Sequence, residues 1–399
     1  MARVVLVAGV ALCALGVLGI VLHLLRRGRW RTLRSSAELY RRARQALDSS
    51  VDATAAGSAV EIGREALEAW TAAGTPPTSA RLRLRVAGLA MAYADGLRRA
   101  GRPEDALPHL IAAQAVVTER ADADPARHRP LLAEVLTATA ATEADLGHLD
   151  EALRLDGKII PLLRELAVDR RDAYARPLGL ALAAEARHFH ENGRAAEALA
   201  AAHEATVLLR AADPVALAAA GTAYATILLA AGRDEEALTA VNEAVTYGAR
   251  AYDGQSFEHC VTLTVLGRCL LALGRAPLAE APLRDGLALA RTAAERQPRQ
   301  GRRWLAEILT ATAEMLTALD RPADAVTAAH EATHLATPDD GGQARALWAL
   351  GAALLAGGLP AEARTPATEA VALYKQLADA RPGRFHREQA QAQELLARL

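Results

Sequence analysis

The sequence predicts an all-α solenoid, a stack of helical hairpins, preceded by one membrane-spanning helix. Three observations carry the prediction. A short turn motif recurs along the chain, small residues stand at fixed distances from each turn, and the composition favours helix. Of 399 residues, 52% are hydrophobic but only 4% aromatic. Ala makes up about one residue in four, so the core must form by close helix approach and not by large rings.

The turn motif reads AGRPEDAL around Gly101, LGHLDEAL around Gly147, NGRAAEAL around Gly193 and AGRDEEAL around Gly232. LGRAPLAE around Gly274, LDRPADAV around Asp320 and GGLPAEAR around Gly358 continue it, with spacings of 38–46 residues. A period of this size marks a repeat architecture. Five residues after each turn stands Ala: 106, 152, 198, 237, 279, 325 and 363. Seven residues before it stand Ala94, Ala140, Ala186, Ala225, Gly267, Ala313 and Gly351. Twelve after it stand Ala113, Ile159, Ala205, Ala244, Gly286, Ala332 and Ala370, with Ile159 the one large member. Glycine at the turn supplies the left-handed cap that stops the first helix, A. Acidic residues opening the second helix, B, suit its positive end. The small columns mark where helix axes cross at about 8–10 Å.

In order and spacing, the small residue, turn glycine and later alanines resemble the tetratricopeptide repeat pattern over roughly residues 80–380. The unit is longer than that family's usual one of about 34 residues, and is similar to the long units of kinesin light chains and actinobacterial repeat proteins. The resemblance implies a right-handed solenoid that binds protein or peptide on the inner face of its A helices. Register then assigns Arg187, Thr226, Thr264, Arg268, Thr310, Glu314 and Trp348 to a partner-binding face, with Asp95, Thr137 and Thr222 on the same wall. Arg187 and Arg268 are its expected cations and Trp348 its aromatic anchor. The aromatic that usually follows the small residue of helix A is kept only as Phe189; Leu228, Leu270, Leu316 and Leu354 replace it. Pro108, Pro282 and Pro366 fall early in helix B, where a local bend is expected.

Expected boundaries are a membrane anchor with basic flank over 1–34, a degenerate hairpin over 35–80, seven repeats over 81–383 and a closing helix over 384–399. Val4 to Leu25 is 22 residues long with His23 as its one strongly polar member. As a helix it spans about 33 Å, enough to cross the hydrocarbon core. A cleaved signal fits less well, because a basic stretch follows where a small-residue cleavage site would stand. Five Arg follow the span (26, 27, 29, 31 and 34) and Arg3 precedes it, so the solenoid is expected on the cytoplasmic side. Gly9, Cys13 and Gly16 form a small-residue face through which copies of the helix would pack.

Net charge is −1, but residues 1–34 hold six Arg and no acid, leaving 40 basic against 47 acidic residues in the body. That balance argues against nucleic-acid binding. Only Lys158 and Lys375 are lysines, so no phosphate-binding P-loop exists. Cys260 and Cys269 stand nine apart on opposite helix faces and are expected as free thiols. His188 and His190 are expected near the surface beside a turn. His330-Glu331-Ala332-Thr333-His334 has the spacing of a zinc-protease helix. The repeat register accounts for it more simply, since His203-Glu204-Ala205-Thr206 recurs at the same place. The sequence therefore leads to a membrane-tethered interaction scaffold with no cofactor. A regulatory sensor acting on a separate effector is the alternative, and a metalloprotease a lesser one.

Overall fold

The computed structural model describes residues 80–252, 258–296, 298–337 and 341–399. The expected membrane span, its Arg flank, the Gly9/Cys13/Gly16 face and the hairpin expected ahead of residue 80 lie outside the described residues. Among the described residues no helix is long and apolar enough to cross a membrane.

Fifteen helices and no strand are found among the described residues. They are α1 (Ala80–Arg99), α2 (Pro103–Ala123), α3 (Pro125–Asp145), α4 (Leu149–Asp169), α5 (Arg171–Glu191), α6 (Ala195–Ala212), α7 (Pro214–Ala230) and α8 (Asp234–Tyr252). Then follow α9 (Glu258–Ala272), α10 (Ala276–Arg296), α11 (Pro298–Ala318), α12 (Pro322–Leu335), α13 (Gly342–Ala356), α14 (Pro360–Ala380) and α15 (His386–Ala397). The chain divides into two units between Pro125 and Ala126. In the first, α1 and α2 pair, with Tyr93 edge-on to His109 and Arg83 gripping Glu119 through two hydrogen bonds of 2.9 and 3.2 Å.

All seven turn positions adopt positive φ: Gly101, Gly147, Gly193, Gly232, Gly274 and Gly358, and also Asp320 at 58°. Each closes helix A in the same way. The N–H one residue past the turn donates to a carbonyl five residues back, as in Arg194 to Phe189 at 2.8 Å and Arg321 to Leu316 at 2.9 Å. This pattern satisfies carbonyls that the helix end would otherwise orphan. Pro103, Pro322 and Pro360 open three B helices at their first turn, where a missing N–H costs nothing. Pro108, Pro282 and Pro366 sit inside α2, α10 and α14, which continue through them.

The small columns are the packing. Ala106, Ala152, Ala198, Ala237, Ala279, Ala325 and Ala363 are each 0% exposed. A methyl added to Gly267 would stand 2.5 Å from Leu283, and one on Gly286 would stand 2.6 Å from Ile308. Size at these positions is therefore dictated by the neighbouring helix.

In the second unit each A helix from α5 onward touches the next A helix as well as its own B partner, while no B helix approaches another B helix as closely among the described residues. The A helices therefore form the inner side of the stack. Ion pairs link the B helices of successive hairpins on the outer side, Arg164–Glu204 at 2.8 Å and Arg210–Glu243 at 2.9 Å, while Arg129–Glu165 at 2.9 Å joins α3 to α4 within one hairpin. They are exposed and each is worth well under about 1 kcal/mol.

α15 packs on α14 and α13 and buries Ala392 and Leu395. The joint that leads into it also reaches back to much earlier turns. Arg381 pairs with Glu191 at 3.2 Å, the Gly383 backbone lies against Gly193, and Arg387 donates to the Leu229 carbonyl at 2.8 Å. Arg387 also stands 3.8 Å from Asp234. The turns of α5–α6 and α7–α8 are thereby clasped by the α14–α15 joint.

Candidate functional site on the inner face of the A helices

The partner-binding residues expected from register occupy one wall of the second unit, but in different states. Arg187 is exposed on α5. Thr226 is half-buried and its hydroxyl donates to the Thr222 carbonyl at 2.9 Å. Thr264 and Thr310 are buried, and their hydroxyls donate to Cys260 at 2.7 Å and Ala306 at 2.8 Å. These two bind their own helices and have no O–H left to offer. Thr222 and Thr262 join α7 to α9 with their hydroxyls 3.0 Å apart.

The wall gathers charge toward α9, α11 and α13. Arg345, which register reasoning did not single out, makes two hydrogen bonds to Glu314 at 2.7 and 2.9 Å. Burial opposes the Arg345 charge, but Glu314 outweighs it and holds the guanidinium pKa above its usual range. Arg268 has no such partner. Its Nε–H is shielded and donates to nothing, and the nearby Arg345 charge, followed by burial, pulls its pKa down to about 10. Arg268 and Glu314 are thus neighbours without being an ion pair. A cavity of about 40 Å³ lies between Arg268, Arg303, Thr310, Thr337, Gly342 and Arg345.

Unpartnered nitrogens recur along this wall. Trp348 is half-buried with its indole Nε1 shielded and unbonded. His190 Nε2 and Arg384 Nε are in the same condition. Both His188 and His190 are buried, at 6% and 8% exposure, which corrects the expectation of surface residues. His188 stands 2.6 Å from Asp156 of α4. His190 lies under the returning joint: burial first, then Arg384 and Arg268, push its pKa down to about 3. Sequence periodicity carries no trace of a joint arriving from nearly two hundred residues away.

A larger cavity of about 230 Å³ opens among α6, α7 and α8, next to His203, Arg210, Tyr224 and Glu243. Its charges are already matched: Arg210 grips Glu243 through two bonds of 2.9 Å. Thr206 bonds His203 at 2.8 Å and Thr239 bonds Glu235 at 3.0 Å. Size favours this cavity, but unsatisfied chemistry favours the smaller one.

His330, Glu331 and His334 all project to solvent from α12 around the buried Ala332. Glu331 faces Arg291 at 3.8 Å. Among the described residues no group of three His, Cys, Asp or Glu is placed to hold a metal ion. Cys260 and Cys269 are buried free thiols, and burial pushes Cys269 up to about 12 against the pull of Arg268. A thiol so raised is a poor nucleophile.

The architecture is that of a tetratricopeptide-like helical-repeat protein, and solved structures agree. The Rap conjugation gene regulator of plasmid pLS20, in complex with the Phr* peptide, superposes with a TM-score of 0.54 at 10% identity, over 88% of this chain and 97% of that one. The apo form of RapI gives 0.52 at 10% identity, over 92% and 98%. The signal transduction ATPase with numerous domains PH0952 of Pyrococcus horikoshii, which has a tetratricopeptide repeat sensor, gives 0.50 at 16% identity, over 84% of this chain and 55% of that one. At these identities the likeness defines the fold. No protein-family model matches the chain, and no curated protein does.

Proposed function

We propose that this chain is a membrane-tethered scaffold that holds a peptide or protein segment on the inner face of the A helices of its second unit. The observation that carries the reading is the pair of shielded donors without acceptors on that face, Arg268 Nε and Trp348 Nε1. Each unsatisfied donor costs about 1–3 kcal/mol, and an extended segment brings carbonyls and carboxylates that remove the cost. The pLS20 regulator, which shares the fold, was solved with a peptide bound; the proposal extends that use to this chain. The tether rests on the 22-residue apolar run from Val4 to Leu25 and the Arg cluster after it.

A photo-crosslinking residue tests the reading directly. Placed at Thr226 it should capture a partner segment; placed at Glu331 on the outer side it should not. Arg187→Ala with Arg268→Ala should weaken the captured segment's affinity by about 1–3 kcal/mol in calorimetry. Crosslinks from position 331 alone would move the site to the outer face. For the tether, a reporter active only outside the membrane, fused after Leu399, should be silent; activity would reverse the orientation.

A further inference from the structure

One place in the repeat departs from its column. Eleven residues before the turn stand Leu136, Leu182, Leu263, Leu309 and Leu347, each buried, with Ala90 in the first unit. In α7 the same place holds Gly221. Glycine inside a helix is unfavourable, and close packing does not account for it here. An added methyl would stand 3.2 Å from the Ala244 Cβ, whereas methyls on Gly267 and Gly286 would clash at 2.5 and 2.6 Å. In register, Leu182, Leu309 and Leu347 stand opposite Ala205, Ala332 and Ala370, the counterparts of Ala244. Leucine opposite alanine is thus the ordinary arrangement of this column, and α7 lacks the leucine.

The cavity of about 230 Å³ among α6, α7 and α8 opens at this place. Leu217, Gly221, Leu228 and Ala240 line it, together with Val207, which is 50% exposed. Its polar groups are spent on one another. The Thr206 and Thr239 hydroxyls donate to carbonyls of their own helices, Arg210 holds Glu243, and Glu236 is held by Arg233. What remains for a ligand is apolar carbon and two rings, His203 and Tyr224, set edge-on with centroids 6.1 Å apart. The Arg210–Glu243 bridge spans α6 and α8, the two helices that flank the space, and fixes its width. Unfilled apolar space costs stability, and an apolar cavity of about 150 Å³ is enough to take benzene.

We infer that this cavity is a binding site for a small planar aromatic molecule of one or two rings, seated where the column's leucine is absent. Edge-to-face or offset contact with His203 and Tyr224 suits such a ring. The cavity opens between B helices, on the side of the stack away from the inner wall, so the inference stands apart from the inner-face reading. The Arg210–Glu243 bridge beside the opening favours a compact free molecule over a side chain still attached to a peptide.

Fluorine NMR of 5-fluoroindole with the full-length protein in detergent tests the site. The resonance should broaden and shift on the native chain and recover when unlabelled indole competes. Gly221→Leu restores the column's own residue, and Ala240→Leu fills the same space from α8. Each should weaken binding by about tenfold or more. Uptake of the probe by detergent is common to all three chains and cancels in the comparison. Circular dichroism checks that each variant is folded; if Gly221→Leu is not, Ala240→Leu decides. Purine, equally flat but polar, should not compete, and N-acetyltryptophanamide should compete about tenfold less than indole. No response from the native chain, or a response that survives in a folded variant, overturns the site. Competition by purine as strong as by indole overturns the apolar class, and equal competition by the capped tryptophan overturns the free molecule.

Discussion

Gly193 and Gly274 end α5 and α9 with the same cap, and replacing each by Ala isolates what the long-range clasp contributes. Their φ angles are +74° and +69°. Their closing hydrogen bonds, Arg194 to Phe189 and Arg275 to Leu270, are both 2.8 Å. At Gly274 nothing lies within 4 Å of an added methyl. Gly274→Ala therefore reports only the left-handed backbone, about 1 kcal/mol. At Gly193 the methyl would stand 2.4 Å from the Pro382 carbonyl oxygen and 3.2 Å from Arg384 N. Backbone cannot rotate aside as a side chain does, so the joint has to withdraw. Withdrawal strains or breaks the 3.2 Å Arg381–Glu191 pair and the 2.8 Å bond from Arg387 to Leu229. Those contacts are worth about 1 kcal/mol each at most, which brings Gly193→Ala to about 3 kcal/mol. Urea unfolding followed by circular dichroism measures the difference as a shift in midpoint, provided the slopes agree. Repeat arrays can lose cooperativity, so equal slopes are a condition of the comparison. Equal midpoints for the two variants would refute the clasp, and Arg381→Ala should then also be silent.

Other outcomes follow from single positions. Asp320 holds φ 58° at an exposed turn, so Asp320→Gly should raise stability by about 0.5–1 kcal/mol in the same assay. Glu185 is raised to about 6, by burial first and Asp156 second; stability present below its unfolded value is lost as pH rises through about 6. Glu185→Gln should therefore stabilise at pH 7 by no more than about 1 kcal/mol, because the group is partly screened by solvent, and should change nothing at pH 4. His190 runs the other way: its folded value of about 3 lies below its unfolded value, so stability present above about pH 6.5 is lost as pH falls. That loss should reach about 2 kcal/mol by pH 5 and should shrink in His190→Gln, read from melting curves across pH.

The fold was legible because its determinants are local. A cap needs positive φ at one position and small residues where axes cross, whatever lies elsewhere in the chain. Register alone therefore located Asp320 as a turn although it is not glycine, and the structure gives it the same left-handed backbone as its six glycine counterparts. The columns were legible for the same reason, since Leu283 and Ile308 leave no room for a larger residue at Gly267 and Gly286. Arg after the turn is a further local feature. In the structure Arg102, Arg194, Arg233 and Arg321 each pair with an acid three residues on, at the start of helix B.

The inner face was legible as positions but not as chemistry. Register placed Arg268 and Glu314 on one wall, one hairpin apart, and from that spacing they look like a pair. Arg345 enters from the next hairpin and takes Glu314 with both of its oxygens, so Arg268 does not pair with it. Which of two arginines wins a shared carboxylate depends on side-chain reach across three helices, and no periodicity encodes that competition. The same holds for His190, whose burial depends on Arg384 arriving from the far end of the unit. The small columns are what make such contests unavoidable. Alanine brings the A helices so close that long polar side chains on their inner side must meet. Arg268, whose Nε is shielded and bonded to nothing, is where that crowding shows.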